Sequence, residues 1–464
     1  MTSWYPDLSG SAAPRYIAIA DAIEADLKSG RLAPGDKLPA QRQLAERLDL
    51  DFTTVARGYA EARRRGLLAA RVGSGSFVTS PESTADTSAG EAHGRRTADA
   101  DFSMNLPPEP DTAALRARMQ DSYRALAADL VPLLRYQSFS ATDPDRRMAQ
   151  VWLGKVGLSA QPDSIHFAPG AQAALGAVLT AITDPGDRIA CEAVTYPGIR
   201  SLCGQLRLEL TGLPMDRDGP APDAFETTCR EGGLKALYLN PTINNPTTRT
   251  LPFQRRLDLI AIARCHGVPI LEDDAYGQLC RDKVQPMAAI APELTWYVGS
   301  LSKSLGAGLR LAHVVPPDQN AAWRFTRALR TASIMVSPLT VALATRWIGD
   351  GTAEALLTHV RQESSARQAL ANRHLADHKF AADPNGFHLW LELGNGWTPS
   401  AFTSQIRPQP VGLVEGDAFA VSGPVPNAVR LCLGGPHTRT QIDTALSVLA
   451  GTLVTPPQSA ATYF

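Results

Sequence analysis

The chain has 464 residues, 44% of them hydrophobic, with 45 lysines and arginines against 46 aspartates and glutamates, for a formal net charge of -1. That length supplies core for two or three domains, and the charge balance excludes a globally basic protein, so any DNA-binding surface must be local. The six cysteines (Cys191, Cys203, Cys229, Cys265, Cys280, Cys432) form no Cys-x-x-Cys pair. They therefore read as reduced thiols, with neither a zinc site nor a disulfide scaffold. Met1 to Gly10 lacks a basic stretch followed by an apolar one, and no apolar run approaches the roughly 20 residues that span a bilayer. The expectation is a cytoplasmic protein that engages no membrane and holds no metal.

Tyr16, Ile19, Ile23 and Leu27 recur at helical spacing, and Gly30 to Pro39, with Pro34, Gly35 and Pro39, interrupts them. Leu44, Ala45 and Leu48 predict a second helix. Asp51 suits the cap of a third, whose apolar stripe is Val55, Tyr59 and Ala62 and which Gly66 stops. Leu67 to Arg71 and Ser76 to Thr79 read as short strands around Gly73-Ser74-Gly75, a hairpin tip. Three helices and a hairpin make a winged helix-turn-helix over residues 1–78. Thr79 to Asp101 contains no Val, Ile, Leu, Met or aromatic residue and so cannot build a core. It is expected to be a flexible linker with a span of about 25 to 30 Å.

From residue 102 to 464, strand-like runs alternate with helical patterns: Lys235 to Leu239, Leu257 to Cys265, Val268 to Leu271, and the strand before Lys303. Such alternation predicts an α/β fold, a mostly parallel sheet with functional groups at the carboxyl ends of its strands. From about Asn320 long helices take over, one running from Ala353 to about Leu375. The alternating strand Phe387 to Leu393 follows, which suggests a smaller α+β domain at the carboxyl end.

Lys303 is the most informative residue. It stands in Ser300-Leu301-Ser302-Lys303-Ser304, just after the apolar strand Trp296 to Val298 and seven residues before Arg310. That is the layout of an aldehyde-binding lysine beside a phosphate cradle, and the coenzyme that needs both is pyridoxal 5'-phosphate. Asp273, in Glu272-Asp273-Asp274-Ala275-Tyr276, is suited to a protonated pyridine nitrogen. Tyr276 and Asn245, the latter before Pro246, are suited to the ring's phenolic oxygen. Pro169-Gly170-Ala171-Gln172 opens a small-residue helix whose free N–H groups favour a phosphate dianion, with Ser300, Ser302 and the forked Arg310 completing the cradle. Tyr196 is placed to stack on the ring, and Arg430, in a strand of otherwise apolar residues, to clamp the carboxylate of an amino-acid ligand. Taken singly, Asp273 reads equally as a cap, Asn245 as turn chemistry and Lys303 as a surface lysine; the joint pattern is what carries the assignment.

On these motifs the chain from about Phe102 onward resembles a fold-type-I aminotransferase. With its amino-terminal reader it resembles the MocR-type subgroup of GntR transcriptional regulators. The resemblance implies Lys303 as the lysine bonded to the coenzyme, Asp273 at the pyridine nitrogen, and Asn245 and Tyr276 at the phenolic oxygen. It further implies Ala171, Gln172, Ser300, Ser302 and Arg310 at the phosphate, Tyr196 on the ring and Arg430 for the effector. It implies a head-to-tail homodimer in which Tyr136 reaches the neighbouring subunit's phosphate. Thr248 replaces the usual glycine after Asn245-Pro246-Thr247, and Leu311-Ala312-His313 replaces the common leucine-glycine-aromatic run.

At the amino end, Leu38 to Ala45 followed by Thr53-Thr54-Val55 resembles the GntR reading head. The resemblance points to Arg42, Thr53, Thr54, Arg57 and Arg71 near double-stranded operator DNA, with Gly73, Ser74 and Gly75 in the wing. Arg57, Arg63, Arg64, Arg65 and Arg71 face one acid, Glu61, in this stretch. Phe52 stands where many relatives carry a base-reading arginine. The leading expectation is a regulator that senses an amino-acid-like amine by external aldimine formation at the coenzyme released from Lys303. A working aminotransferase with an accessory DNA-binding domain, and a DNA binder whose large domain only senses coenzyme or holds the dimer, are the other readings.

Overall fold

A computed structural model describes residues 4–8, 14–33, 35–65, 67–71, 75–78, 103–137, 141–406 and 412–456. The chain divides into two compact units, Met1–Asp99 and Ala100–Phe464. The predicted linker, Gly66, and the wing-tip residues Gly73 and Ser74 lie outside the described residues.

The first unit contains α1 (Arg15–Lys28), α2 (Gln41–Leu48) and α3 (Phe52–Arg64), followed by the antiparallel strands β1 (Leu68–Arg71) and β2 (Gly75–Val78). Ile19, Ile23, Leu44, Val55, Tyr59, Leu68 and Val78 form its buried core. The Asp51 carboxylate caps α3, accepting from the Thr53 N–H at 2.7 Å. Gly58 lets α3 cross α1 closely, since a Cβ there would lie 3.0 Å from the Ile19 side chain. This is the helix-turn-helix and wing expected from the sequence.

The second unit is built on a seven-stranded sheet. Its strands in chain order are β3 (His166–Ala168), β4 (Arg188–Glu192), β5 (Glu209–Leu213), β6 (Leu234–Leu239), β7 (Ile270–Asp273), β8 (Thr295–Ser300) and β9 (Ala312–Val315). Their spatial order is β3-β9-β8-β7-β6-β4-β5. Five neighbours, β8-β7-β6-β4-β5, pair in parallel, while β9 runs antiparallel between β8 and β3. Parallel strands must be covered on both faces, and alternate residues serve the two layers. Tyr238, Leu271, Trp296 and Val298 pack with Leu175 and Phe325 on one side. Leu237, Leu239 and Ile270 pack with Leu259 and Phe225 on the other.

A four-stranded antiparallel sheet, β10 (Phe380–Ala382), β11 (His388–Glu392), β12 (Leu413–Glu415) and β13 (Ala428–Cys432), has the order β10-β11-β13-β12. The helices Thr352–His374 and Arg439–Val454 contribute Ala371, Ile442, Leu446 and Leu449 to its core. The helix Gln319–Ser333, which the sequence reading assigned to this smaller domain, instead packs Ala321, Phe325 and Leu329 into the core of the seven-stranded sheet. The small domain therefore begins later than residue 320. Among the described residues, no helix is long and apolar enough to cross a membrane.

Candidate coenzyme site and DNA-reading head

The carboxyl ends of β6, β7 and β8 converge on one cleft. It is lined by Ala171, Gln172, Tyr196, Asn240, Asn245, Asp273, Ala275, Tyr276, Ser300, Ser302, Lys303 and Arg310. Every coenzyme residue named from the sequence except Tyr136 lies there. Tyr136 is 84% exposed and does not line this cleft.

Asp273 ends β7 and is buried. Its Oδ2 accepts from the Tyr238 hydroxyl at 2.8 Å, and its main-chain oxygen accepts from Asn240 Nδ2 at 2.7 Å. Oδ1 is buried with no hydrogen-bond partner among the described residues. Burial pushes the carboxyl up to about 7, so without a cation beside it the group keeps its proton near neutrality. A protonated ring nitrogen at Oδ1 would supply both the missing partner and the missing positive charge.

Lys303 follows β8. Burial pulls its ammonium down to about 8, with Arg430 and Arg310 adding to the pull while Cys432 and Asp273 oppose it. The amine donates to the main-chain oxygen of Asn105 at 2.6 Å. At pH 7 about a tenth is therefore unprotonated, the form that attacks an aldehyde. The Tyr276 hydroxyl is buried and accepts from Asn105 Nδ2 at 2.6 Å.

The phosphate end is shaped by backbone. Gly170 precedes the helix Ala171–Ile182 at φ 92°, and a Cβ there would lie 3.0 Å from the Arg310 guanidinium. Arg310 itself adopts φ 46°. Tyr196 donates its hydroxyl to Gln172 Oε1 at 3.2 Å, Gln172 Nε2 donates to the Gly198 oxygen at 3.0 Å, and any Cβ at Gly198 would overlap the Tyr196 ring. Ser300 Oγ accepts from the Ser302 N–H at 3.2 Å. Asn245 N–H donates to Asn240 Oδ1 at 2.8 Å, and Arg430 on β13 donates to Asn245 Oδ1 at 3.0 Å. Thr248, the departure from glycine, holds φ 62° while its N–H donates to the Asn244 oxygen at 2.7 Å.

Sequence reasoning missed four contributors. Asn240 and Tyr238 hold Asp273, and Asn105 meets both Tyr276 and Lys303. Glu192, buried, accepts from the Asn240 N–H at 2.9 Å and from the Thr195 hydroxyl at 2.8 Å, tying the Tyr196 loop to the Asn245 loop. Asn240 follows a strand and precedes Pro241, a signal that was there to be read. Tyr238, one aromatic within an apolar run, gave none.

In the reading head, Thr53 is exposed and bonded to Asp51, and Arg57 lies with its guanidinium 4.3 Å from the Tyr16 ring centroid. Thr54, the third residue of α3, is half-buried. Arg42 lies 5.9 Å from the ring of Phe52, which is 44% exposed. Arg71 and Gly75 fall in the two strands. Arg65, counted from sequence with the basic cluster, is taken up by acids instead: Asp21 at 2.5 Å, Glu61 at 2.9 Å and Glu24 at 3.5 Å.

Residues 100–449 match the family model for aminotransferase class I and II, and residues 15–78 match that for bacterial regulatory proteins of the gntR family. The chain is 30% identical over 459 residues to the HTH-type transcriptional regulator YdeF of Bacillus subtilis, covering 96% of each chain. It is 28% identical over 410 residues to the vitamin B6 salvage pathway transcriptional repressor PtsJ of Salmonella typhimurium, covering 88% of this chain and 91% of that one. An archaeal alanine:glyoxylate aminotransferase shares the fold with a TM-score of 0.70 at 21% identity, over 81% of this chain and 95% of that one. The α-aminoadipate aminotransferase LysN of Thermus thermophilus does so with a TM-score of 0.68 at 23% identity, over 80% and 98%. The coenzyme of this fold is pyridoxal phosphate. The orphaned Asp273 Oδ1, the low-pKa Lys303 and the glycine-shaped cradle beside Arg310 fit it. The chain belongs to the class I and II aminotransferase family and, with its gntR-type head, is a transcriptional regulator of the MocR type.

Proposed function

We propose that this regulator senses an effector carrying both an amine and a carboxylate, and that the aminotransferase-like domain is its receptor. The observation that carries the reading is the hydrogen bond from Arg430 to Asn245, which brings a guanidinium to the wall of the cleft that holds Lys303. When bound, pyridoxal phosphate supplies an electrophilic aldehyde carbon for which the amine of Lys303 and the amine of the effector compete. Asp273 Oδ1 holds the proton of the ring nitrogen, Tyr276 and Asn245 serve the phenolic oxygen, and Ala171, Gln172, Ser300, Ser302 and Arg310 anchor the phosphate. Tyr196 covers the ring face.

Arg42, Thr53, Thr54, Arg57 and Arg71, with Gly73, Ser74 and Gly75 in the wing, engage an operator duplex, joined to the receptor by a linker over residues 79–101. The exposure of Tyr136 supports a head-to-tail homodimer in which it serves the partner's phosphate site. An effector redistributes the dimer only by its differential affinity for two arrangements of the heads. A swing from 1:99 to 99:1 takes about 5.5 kcal/mol.

A working aminotransferase is the second reading, favoured by the completeness of the cleft. Loaded protein mixed with amino acids and a keto acid acceptor separates the two. Effector-dependent change in operator binding without multiple turnovers supports the sensor, whereas sustained turnover with unchanged DNA binding supports the enzyme.

A further inference from the structure

Ser103 to Glu109 runs as a strap along the small domain and into the coenzyme cleft. Its course is fixed by packing. The Gly435 N–H donates to the Pro107 oxygen at 3.1 Å, Pro108 and Gly435 form a parallel bridge, and a Cβ at Gly434 would overlap the Leu106 oxygen. Three side chains assigned to coenzyme or effector meet this strap. Arg430 donates to the Ser103 oxygen, Lys303 donates to the Asn105 oxygen, and the Tyr276 hydroxyl accepts from the Asn105 amide.

A phenol has one hydrogen to give. With its oxygen already accepting the Asn105 N–H at 2.6 Å, the remaining hydrogen of Tyr276 is left for another acceptor. Both groups are buried. Burial also pushes the Tyr276 hydroxyl well above its ordinary range, so it remains a donor.

We propose that Asn105 is a positioning residue of this site, whose side-chain amide presents the Tyr276 hydroxyl as a donor to the phenolic oxygen of pyridoxal phosphate. The inference rests on the reading of the cleft as the coenzyme site. A donor to that oxygen stabilises its anion, which eases loss of the proton shared between coenzyme and Lys303. Asn105 thereby sets the pH at which the loaded regulator changes protonation, and with it the readiness of the site to accept an effector amine.

The test is the pH midpoint of the coenzyme absorbance band in the loaded full-length protein, measured for Asn105→Ala, Tyr276→Phe and the double variant. Asn105→Ala is expected to raise the midpoint by about 0.5 to 1 unit, the worth of one hydrogen bond, and to add nothing in the Tyr276→Phe background. Asn105→Asp, of nearly equal shape, keeps the test open should the alanine variant fail to fold. Its carboxylate only accepts, so it draws the Tyr276 hydrogen to itself, and the midpoint rises further than in the same variant made on Tyr276→Phe. Asn105 shifts that are absent, or that persist in full without the tyrosine hydroxyl, overturn the proposal. If the unaltered protein shows no coenzyme band, the coenzyme reading itself fails, and this inference with it.

Discussion

Arg430, on a strand of the small sheet, donates to Asn245 Oδ1 at 3.0 Å from the opposite wall of the cleft. The contact sets the orientation of the Asn245 amide: with the oxygen accepting from Arg430, the NH₂ group is left for the coenzyme's phenolic oxygen. On the proposed reading, it also brings a positive charge to the carboxylate of the effector. Arg430→Gln should therefore weaken amino-acid binding about 10- to 100-fold, the worth of a charged hydrogen bond, and leave binding of simple alkylamines nearly unchanged. Titrations of the coenzyme absorbance with amino acids and with the matching amines provide the comparison. Equal weakening for both ligand sets would remove Arg430 from the effector site.

The Lys303 ammonium, drawn down to about 8 by burial, gives the capture of coenzyme a defined pH course. Only the neutral amine attacks, so the rate at which coenzyme-free protein takes up pyridoxal phosphate should climb about tenfold per unit below that value and level off above it. Lys303→Ala should abolish the borohydride-stable adduct at residue 303, read by mass spectrometry of the digest. Its intrinsic operator affinity should stay within a factor of about three, because the lysine belongs to the other unit of the chain, apart from the core of the head.

On the proposed reading, Asp273 trades stability for coenzyme binding. The folded, coenzyme-free chain keeps this carboxyl protonated up to about 7, whereas the ordinary value is 3.8. The folded state thus binds the extra proton, and the stability it contributes is present below about 4 and lost as pH rises towards 7. Asp273→Asn retains an acceptor for Tyr238 and removes the buried charge. At pH 8 the coenzyme-free variant should melt about 2 to 4 °C higher than the unaltered protein, with a flatter dependence on pH, while losing most of its affinity for coenzyme. Calorimetric scans at pH 5 and pH 8 decide it: an unchanged difference between the two would show that Asp273 does not carry the pH dependence.

Much of this site could be read from sequence because its reacting groups stand at the ends of strands, in short motifs where local spacing fixes their neighbourhood. Lys303, Asp273 and Arg310 are of that kind. Tyr238 and Asn105 are not. Tyr238 reaches Asp273 because β6 lies beside β7 in register, Tyr238 opposite Leu271 and Leu239 opposite Glu272, a pairing no local pattern encodes. Asn105 reaches Tyr276 across 171 positions of sequence because Gly434 admits the strap. The antiparallel β9 was likewise hidden, its direction being set by partners on both sides. Arg65 shows the converse error, since charge counting along a helix cannot see acids on the helix beside it.

That distinction among arginines gives the reading head its own test. Arg57 lies 4.3 Å from the Tyr16 ring and makes no ion pair with a described acid, whereas Arg65 is held by Asp21, Glu24 and Glu61. Each phosphate contact releases counterions, so Arg57→Ala should weaken binding and lower the slope of log affinity against log salt by about 1. Arg65→Ala should leave that slope unchanged. It should instead cost the head about 1 kcal/mol or less, as partly exposed ion pairs do, seen as a small drop in melting temperature. Fluorescence anisotropy with a duplex selected from random sequence, at four or five salt concentrations, measures both slopes. A lower slope for Arg65→Ala would mean that it leaves its acids for the DNA backbone, and the assignment of the phosphate-contacting face would have to move from the start of α3 to its end.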